Sequence, residues 1–299
     1  MKLSLKNLLI IFGVLLIVFF TARLTKRDGR SKSLKSELVA LDFVDVSKVE
    51  ISGPKGIVML TKADTTWTVS LPAGEKRTRK DAVKSTIEML NTIKPDRLAS
   101  RKKDKWRDYE VDSTGTRVKV FGGDKVLTDI VLGRFSVEGQ RNFYSFVRLF
   151  EDENVYVANG FMKMSISETA NDFRDNNVLS LKKDSLTQIT FQYPEGTFSL
   201  NKEDAWFLGT DKADSVAVAG FLQGLNYTTS KEFREESIAN YTHTVTFSFS
   251  NSPDIVLEGI RESDGPAIKS SENSLEIFGD EALWDKIFKE PGVFATTLE

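Results

Sequence analysis

The 299-residue chain has no cysteine and one histidine, His243. Without thiols it has no disulfide, thiolate zinc site, iron–sulfur cluster or Cys nucleophile, and one imidazole cannot furnish a multi-His metal site. Neither sign of charge dominates: 41 Lys and Arg stand against 43 Asp and Glu. The global basic excess that gathers nucleic acid is therefore missing. The phosphate-cradling patterns G-x-x-x-x-G-K-[ST] and G-x-G-x-x-G are absent, as are the G-x-S-x-G elbow and the D-x-[DN]-x-[DN]-G calcium loop.

Apolar residues make up 40% of the chain and charged residues 28%. That is enough for a packed core, and the length allows two domains. The charge is unevenly placed. Residues 1–35 carry 8 basic side chains and 1 acidic, whereas residues 173–299 carry 11 basic and 21 acidic. Such asymmetry speaks of surroundings and partners rather than of fold.

From Asn7 to Ala22 no residue is charged, and Leu8 to Phe20 is Leu, Ile, Val or Phe except for Gly13. On the insertion scale these residues sum to about −4 to −7 kcal/mol. The run reads as an uncleaved transmembrane anchor, residues 1–22, with Lys6 and Arg23 snorkelling to the interfaces. A cleaved signal peptide is the alternative. Its A-x-A-like site would have to be Phe20-Thr21-Ala22, with a bulky Phe where a small residue is wanted. Residues 23–37 read as a basic stalk. Arg23, Lys26, Arg27, Arg30, Lys32 and Lys35 follow the run, so the positive-inside rule taken alone puts the remainder in the cytoplasm. Long domains translocate largely regardless of flanking charge, and a single N-terminal apolar segment acts as an export signal. The expected location is the cell inner membrane, single-pass, with the C-terminal domains extracytoplasmic (periplasmic).

Beyond the stalk, period-two alternation marks strands at Val46–Ile51, Ile57–Leu60 and Trp67–Leu71. A helix follows from about Arg79 to Asn91, with Val83, Ile87 and Leu90 on one face. The same order returns about 140 residues later in Leu186–Phe191, Gly196–Leu200, Trp206–Leu208 and a helix ending in Leu225-Asn226. Thr116–Phe121 then matches Thr244–Phe249, and Asp129-Ile-Val-Leu132 matches Asp254-Ile-Val-Leu257. Val155–Val157 with Phe161-Met-Lys-Met matches Leu275–Phe278 with Leu283–Ile287. The pattern β-β-β-α-β-β-β-β-α thus occurs twice. It predicts an α+β protein: a transmembrane helix, then two related, mostly antiparallel domains (38–172 and 173–299), each with a covering helix, arising by internal duplication.

Trp106-Arg-Asp-Tyr109-Glu-Val111-Asp112, Val131-Leu-Gly133, Asn154-Val-Tyr156-Val and Phe173-Arg-Asp175-Asn-Asn-Val-Leu179, in this order after the Trp-x-Val strand and its helix, resemble the uncharacterised bacterial domain-of-unknown-function family numbered 4340. The resemblance implies a single-pass membrane protein or the extracytoplasmic part of an auxiliary component of an ABC-type exporter, including exporters associated with gliding motility. It supplies no catalytic residues.

The residues themselves single out few candidates. His243 shares parity with Val245, Phe247 and Phe249, and reads as a partly buried structural residue. Glu151-Asp-Glu153 and Glu235-Glu236 could in principle cleave glycosidic bonds, but they read as solvated loop charge. Arg97, Arg101, Lys102, Lys103, Lys105 and Arg107 adjoin Trp106 and Tyr109, broken by Asp96, Asp104 and Asp108. They read as a solvated loop with Trp106 tucked in, ahead of a dock for lipid headgroups. No catalytic, cofactor-binding or metal residue is assigned, and no cofactor. The expected protein is a non-enzymatic scaffold or accessory subunit at the membrane, within a membrane protein complex and without nucleic acid. A ligand-binding or sensing module with a cleft between the copies is the second reading, and a carboxylate hydrolase the third.

Overall fold

The computed structural model describes residues 12, 14–16, 21, 37–139, 142–160, 162–236 and 238–296. The expected anchor and stalk lie almost wholly outside the described residues. Among the described residues no helix is long and apolar enough to cross a membrane.

A first series of strands comprises β1 (Lys48–Gly53), β2 (Gly56–Ala63), β3 (Thr66–Leu71), β4 (Gly74–Arg77), β5 (Pro95–Ser100), β6 (Thr116–Gly122), β7 (Lys125–Glu138), β8 (Asn142–Leu149) and β9 (Val155–Asn159). Helix α1 (Ala82–Asn91) lies between β4 and β5. These strands form one nine-stranded sheet in the order β4-β3-β2-β1-β6-β7-β8-β9-β5. A second series comprises β11 (Leu186–Tyr193), β12 (Gly196–Lys202), β13 (Trp206–Leu208), β14 (Asp211–Lys212), β16 (Phe233–Arg234), β17 (His243–Phe249), β18 (Ile255–Glu262), β19 (Gly265–Ser270) and β20 (Asn273–Phe278). With them go α2 (Ser215–Leu225) and α3 (Glu281–Ile287). The second sheet runs β14-β13-β12-β11-β17-β18-β19-β20-β16. Position for position, the strand order of the first sheet is repeated. The short strands β10 (Asn177–Ser180) and β15 (Tyr227–Thr229) pair separately.

The described residues form two compact units, those up to 58 with 84–168, and 59–83 with those from 169 onward. In the first unit, Val49 and Ile51 on β1, Val118 and Val120 on β6, and Ile130 and Leu132 on β7 are buried, as are Ile87 and Leu90 of α1. In the second unit, Ile189, Phe191, Val245, Phe247 and Leu257 pack with Phe221, Leu222 and Leu225 of α2 and with Leu283, Trp284 and Ile287 of α3. Both helices are started by acidic caps. Asp214 accepts from Val216 and Ala217 N–H, and Asp280 from Leu283 N–H, which satisfies first-turn donors and places negative charge at the positive helix end.

The structure adds elements to those the sequence predicts: β4, β5, β10, β14, β15 and β16, while β8 and β19 supply the strand after each helix to which the twofold pattern assigns no residues. Of the segment Phe161-Met-Lys-Met, expected to mirror α3, the described residues from Met162 lead into a 3₁₀ turn at Lys163–Ser165. Its cap position is Met162, which has no side-chain oxygen for the first-turn N–H groups, whereas α3 has Asp280.

Candidate functional site

Because side chains alternate along a strand, the face of the first sheet opposite Val49, Ile51 and Val118 carries a lateral row, contributed by strands of the first unit. Ser52 of β1 stands opposite Arg117 of β6, Arg117 opposite Val131 of β7, and Val131 opposite Arg148 of β8. The connection from β5 to β6, residues 101–115, runs over this face. Its Trp106, Tyr109 and Val111 join Val131, Phe146, Val155 and Val157 in a small apolar cluster of their own. Two glycines allow the connection to lie so close. A Cβ on Gly133 would run into the Tyr109 carbonyl oxygen and stand 2.7 Å from Val111 Cγ1, and one on Gly115 would stand 2.7 Å from Val131 Cγ1. Arg134 fixes the connection from the strand side: its backbone N–H donates to Tyr109 O at 3.1 Å and its Nε to Asp108 O at 2.8 Å.

Arg148 is 3% exposed. Its Nε donates to Val111 O at 3.0 Å, and its Nη1 to the carbonyl oxygens of Leu149, Phe150 and Asp152 at 3.1, 2.6 and 3.2 Å. The guanidinium lies 3.7 Å from the centre of the Trp106 ring and 5.6 Å from that of Phe150, within cation–π range. No carboxylate among the described residues is within ion-pair distance of it. Burial therefore pulls its pKa below the ordinary arginine value, against the pull of Asp129 and with the help of Arg117; the group stays charged. Arg117 sits 3.3 Å over the same Phe150 ring. Its Nε and Nη2 grip Asp129 in a fork at 2.8 and 2.6 Å, which raises its pKa.

These residues line an open cavity of about 550 Å³ in the first unit, together with Ser52, Gly53, Ile57, Trp106, Asp112 and Val131. The volume is in the range of small-molecule sites, and the mix of apolar walls with a few polar groups is typical of them. Asp112 is the one carboxylate of the lining, against two guanidiniums. It accepts from Thr114 Oγ1 at 2.6 Å and Thr114 N at 3.1 Å, which holds its pKa below the usual carboxylate value. Among the described residues no group of three or more His, Asp and Glu could hold a metal ion.

The second sheet carries different groups in the corresponding row. Gln192 stands opposite Thr244, Thr244 opposite Glu258, and Glu258 opposite Lys269. Where the first sheet has Arg, Val, Arg, the second has Thr, Glu, Lys, an arrangement that compensates its own charge. The covering connection is also shorter there, residues 235–242.

The second unit has its own buried cation. Arg174, fully buried, donates through Nε to Glu276 Oε1 at 3.1 Å, through Nη2 to Glu276 Oε2, and through Nη1 to Glu235 and to Asn171 Oδ1 at 3.2 Å. It lies 3.9 Å over the Phe233 ring, and Lys76 Nζ approaches Glu276 to 3.6 Å. The group is a fully partnered structural lock.

His243 is half-buried among Tyr193, Trp284 and Phe288, with ring centres 4.9, 5.0 and 5.8 Å away, and its Nδ1 meets Thr242 Oγ1 at 2.8 Å. Burial lowers its pKa. Glu235 is not the plain solvated charge expected, because it pairs with Arg174. In the 151–153 loop, Asp152 accepts from Asn154 and from Tyr156 OH, and Trp106 Nε1 donates to Glu153 O at 3.1 Å. In the basic run, Arg97 belongs to strand β5 and pairs with Asp96 and Glu138, while Lys105 pairs with Asp108. Trp106 is half-buried, over Arg148. Arg117, Arg148 and Arg174 were not singled out in the sequence. A signal for Arg148 was available: one cation amid Phe146, Val147, Leu149 and Phe150, in a strand too apolar to leave it in water.

Architecture and site define an α+β protein of two nine-stranded antiparallel sheets and a two-stranded one with few helices, one unit carrying a cavity walled by arginines and aromatics. The sequence profile of the family described as Domain of unknown function (DUF4340) matches residues 67–242, more than half of the chain. The chain belongs to this family. No curated protein and no solved structure matches the chain.

Proposed function

We propose that the chain is a non-enzymatic, membrane-anchored accessory subunit built from two copies of one domain, residues 38–172 and 173–299, held outside the cytoplasm and acting by contact. The repeated strand order is the observation that carries this reading. Register supports it in detail. The pair Lys62–Trp67 on β2 and β3 corresponds to Lys202–Trp206 on β12 and β13, and Val49–Val120 to Ile189–Phe247. Backbone bonds recur as well: Thr78 N donates to Trp67 O and Ala213 N to Trp206 O, while Arg79 N donates to Phe173 O and Asp214 N to Phe294 O. Asn91 and Asn226 each bind the segment that leads into the first strand of their sheet.

The uncharged run Asn7–Ala22 supports the anchor, which confines the domains to the membrane and raises their effective concentration near a membrane partner. The family resemblance supports an ABC-type exporter as that partner. Crosslinking in intact membranes, with adducts identified by mass spectrometry, tests the reading. A defined adduct with a multi-span membrane protein is expected. Adducts confined to soluble proteins would overturn it.

A second reading, a ligand-binding or sensing module, is favoured by the cavity of the first unit. In this reading the ligand site lies beneath residues 101–115.

A further inference from the structure

We propose that the cavity beneath residues 101–115 binds a small organic anion, its acidic head held by Arg117 and Arg148 and its apolar body set against Ile57, Val131 and Trp106. The inference rests on the ligand-binding reading and gives it a site and a ligand class; the accessory reading stands or falls separately, on the membrane crosslinks.

The unused donors carry the argument. Arg148 uses Nε and Nη1, and Arg117 uses Nε and Nη2. Arg148 Nη2 and Arg117 Nη1 make no hydrogen bond among the described residues. No buried side-chain nitrogen or oxygen there lacks a partner, so these free ends reach solvent-accessible space. For Arg148, which is 3% exposed, that space is the cavity it lines. A buried cation without a counter-ion is costly, and here carbonyl dipoles and ring faces hold Arg148 in place without neutralising it. An anion in the cavity would complete the charge-assisted bonds that the protein leaves open.

The placement is specific to one copy. Arg117 and Arg148 flank Val131 in adjacent positions of one row, so strand spacing separates their Cα atoms by about 10 Å, and the Phe150 ring brings both guanidiniums over one wall. The second sheet's Thr244, Glu258 and Lys269 leave no such pair. The longer connection also brings Trp106, and with it a roof, only to the first copy. Ile57 is 73% exposed and stands at the cavity as an apolar surface with little else to cover it.

The test uses the full-length chain in detergent, with phenyl phosphate and benzoate as probes and inorganic phosphate and benzyl alcohol as controls. Binding is read from tryptophan fluorescence and by calorimetry. Saturable binding of at least one organic anion is expected, with inorganic phosphate and benzyl alcohol each weaker by about tenfold or more, since each lacks half of the recognition. The fluorescence change should vanish in Trp106→Phe while the calorimetric signal remains. Arg117→Gln should weaken binding by about tenfold, and Arg148→Lys, which keeps the charge but loses the fork, by a similar factor. Should Arg148→Lys fail to fold by circular dichroism, Arg117→Gln decides. Absence of saturable binding of both organic anions overturns the proposal, as does undiminished binding by Arg117→Gln. Equal binding of inorganic phosphate overturns the role of the apolar wall.

Discussion

Single residues in this protein divide between those that hold the fold and those that leave chemistry open. Arg174 belongs to the first kind. Removing it leaves the fully buried Glu276 with only the longer Lys76 contact, so Arg174→Ala should cost roughly 3–5 kcal/mol by denaturant titration, and Arg174→Met with Glu276→Leu should recover most of the loss. An unrecovered double variant would mean the pair does more than compensate itself. Gly133 holds the covering connection on the sheet. Gly133→Ala should cost about 1–3 kcal/mol through overpacking and should raise the exposure of Trp106, seen as a red-shifted emission. His243 makes stability depend on pH. Its folded pKa lies below the ordinary 6.5, so the unfolded chain binds more protons between the two values, and acid favours unfolding there. This contribution is fully present above about 6.5 and is lost as the pH falls through the lowered folded value. His243→Phe should flatten that part of the stability profile; an unchanged slope would assign it to carboxylates.

At the scale of elements, the longer amphipathic segments were legible and the shorter ones were not. The strands at Trp67 and Trp206 and the helices ending at Asn91 and Leu225 stand where periodicity puts them. Two-residue strands such as β14 and β16 carry no periodicity to read. Strand β8 was hidden because Phe143 to Phe150 interleaves apolar residues on both faces, the apolar cluster under Tyr109 making the second face a small core of its own. The tetrapeptides Asp129-Ile-Val-Leu132 and Asp254-Ile-Val-Leu257, attractive in sequence, are not positional copies. Register pairs Val118 with Ile130 and Val245 with Leu257, which sets Ile130, not Leu132, against Leu257. The shift of two residues keeps each side chain on its face, so the alternation survived the misalignment. The candidate site was half visible: Trp106 to Asp112 and Gly133 stood out, but the arginines they cover come from strands distant in sequence. The paired tryptophans also separate in depth. Trp67 is buried whereas Trp206 is half-buried, so Trp67→Ala should cost roughly 3–5 kcal/mol and Trp206→Ala less. Equal costs would mean that burial at these two sites does not set their weight.

The whole molecule has a basic, apolar head in its sequence and two large sheets of the same strand order, the second on the acidic half of the chain. Under the proposed function, the repeated strand order would serve contact with a partner, and the arginine row, present in the first sheet alone of the two, would set a recognition site apart from it. The anchor makes the first demand on the account: the chain should stay with membranes through an alkaline carbonate wash, and release by the wash would remove the anchor. Topology makes the second. The basic residues after the apolar run argue for the cytoplasm, and the length of the following domains argues for export. An alkaline phosphatase fused after residue 299, expressed alongside a cytoplasmic reporter fused at the same point, decides between them. The account expects an active phosphatase and a silent cytoplasmic reporter; a silent phosphatase with an active cytoplasmic reporter would contradict it.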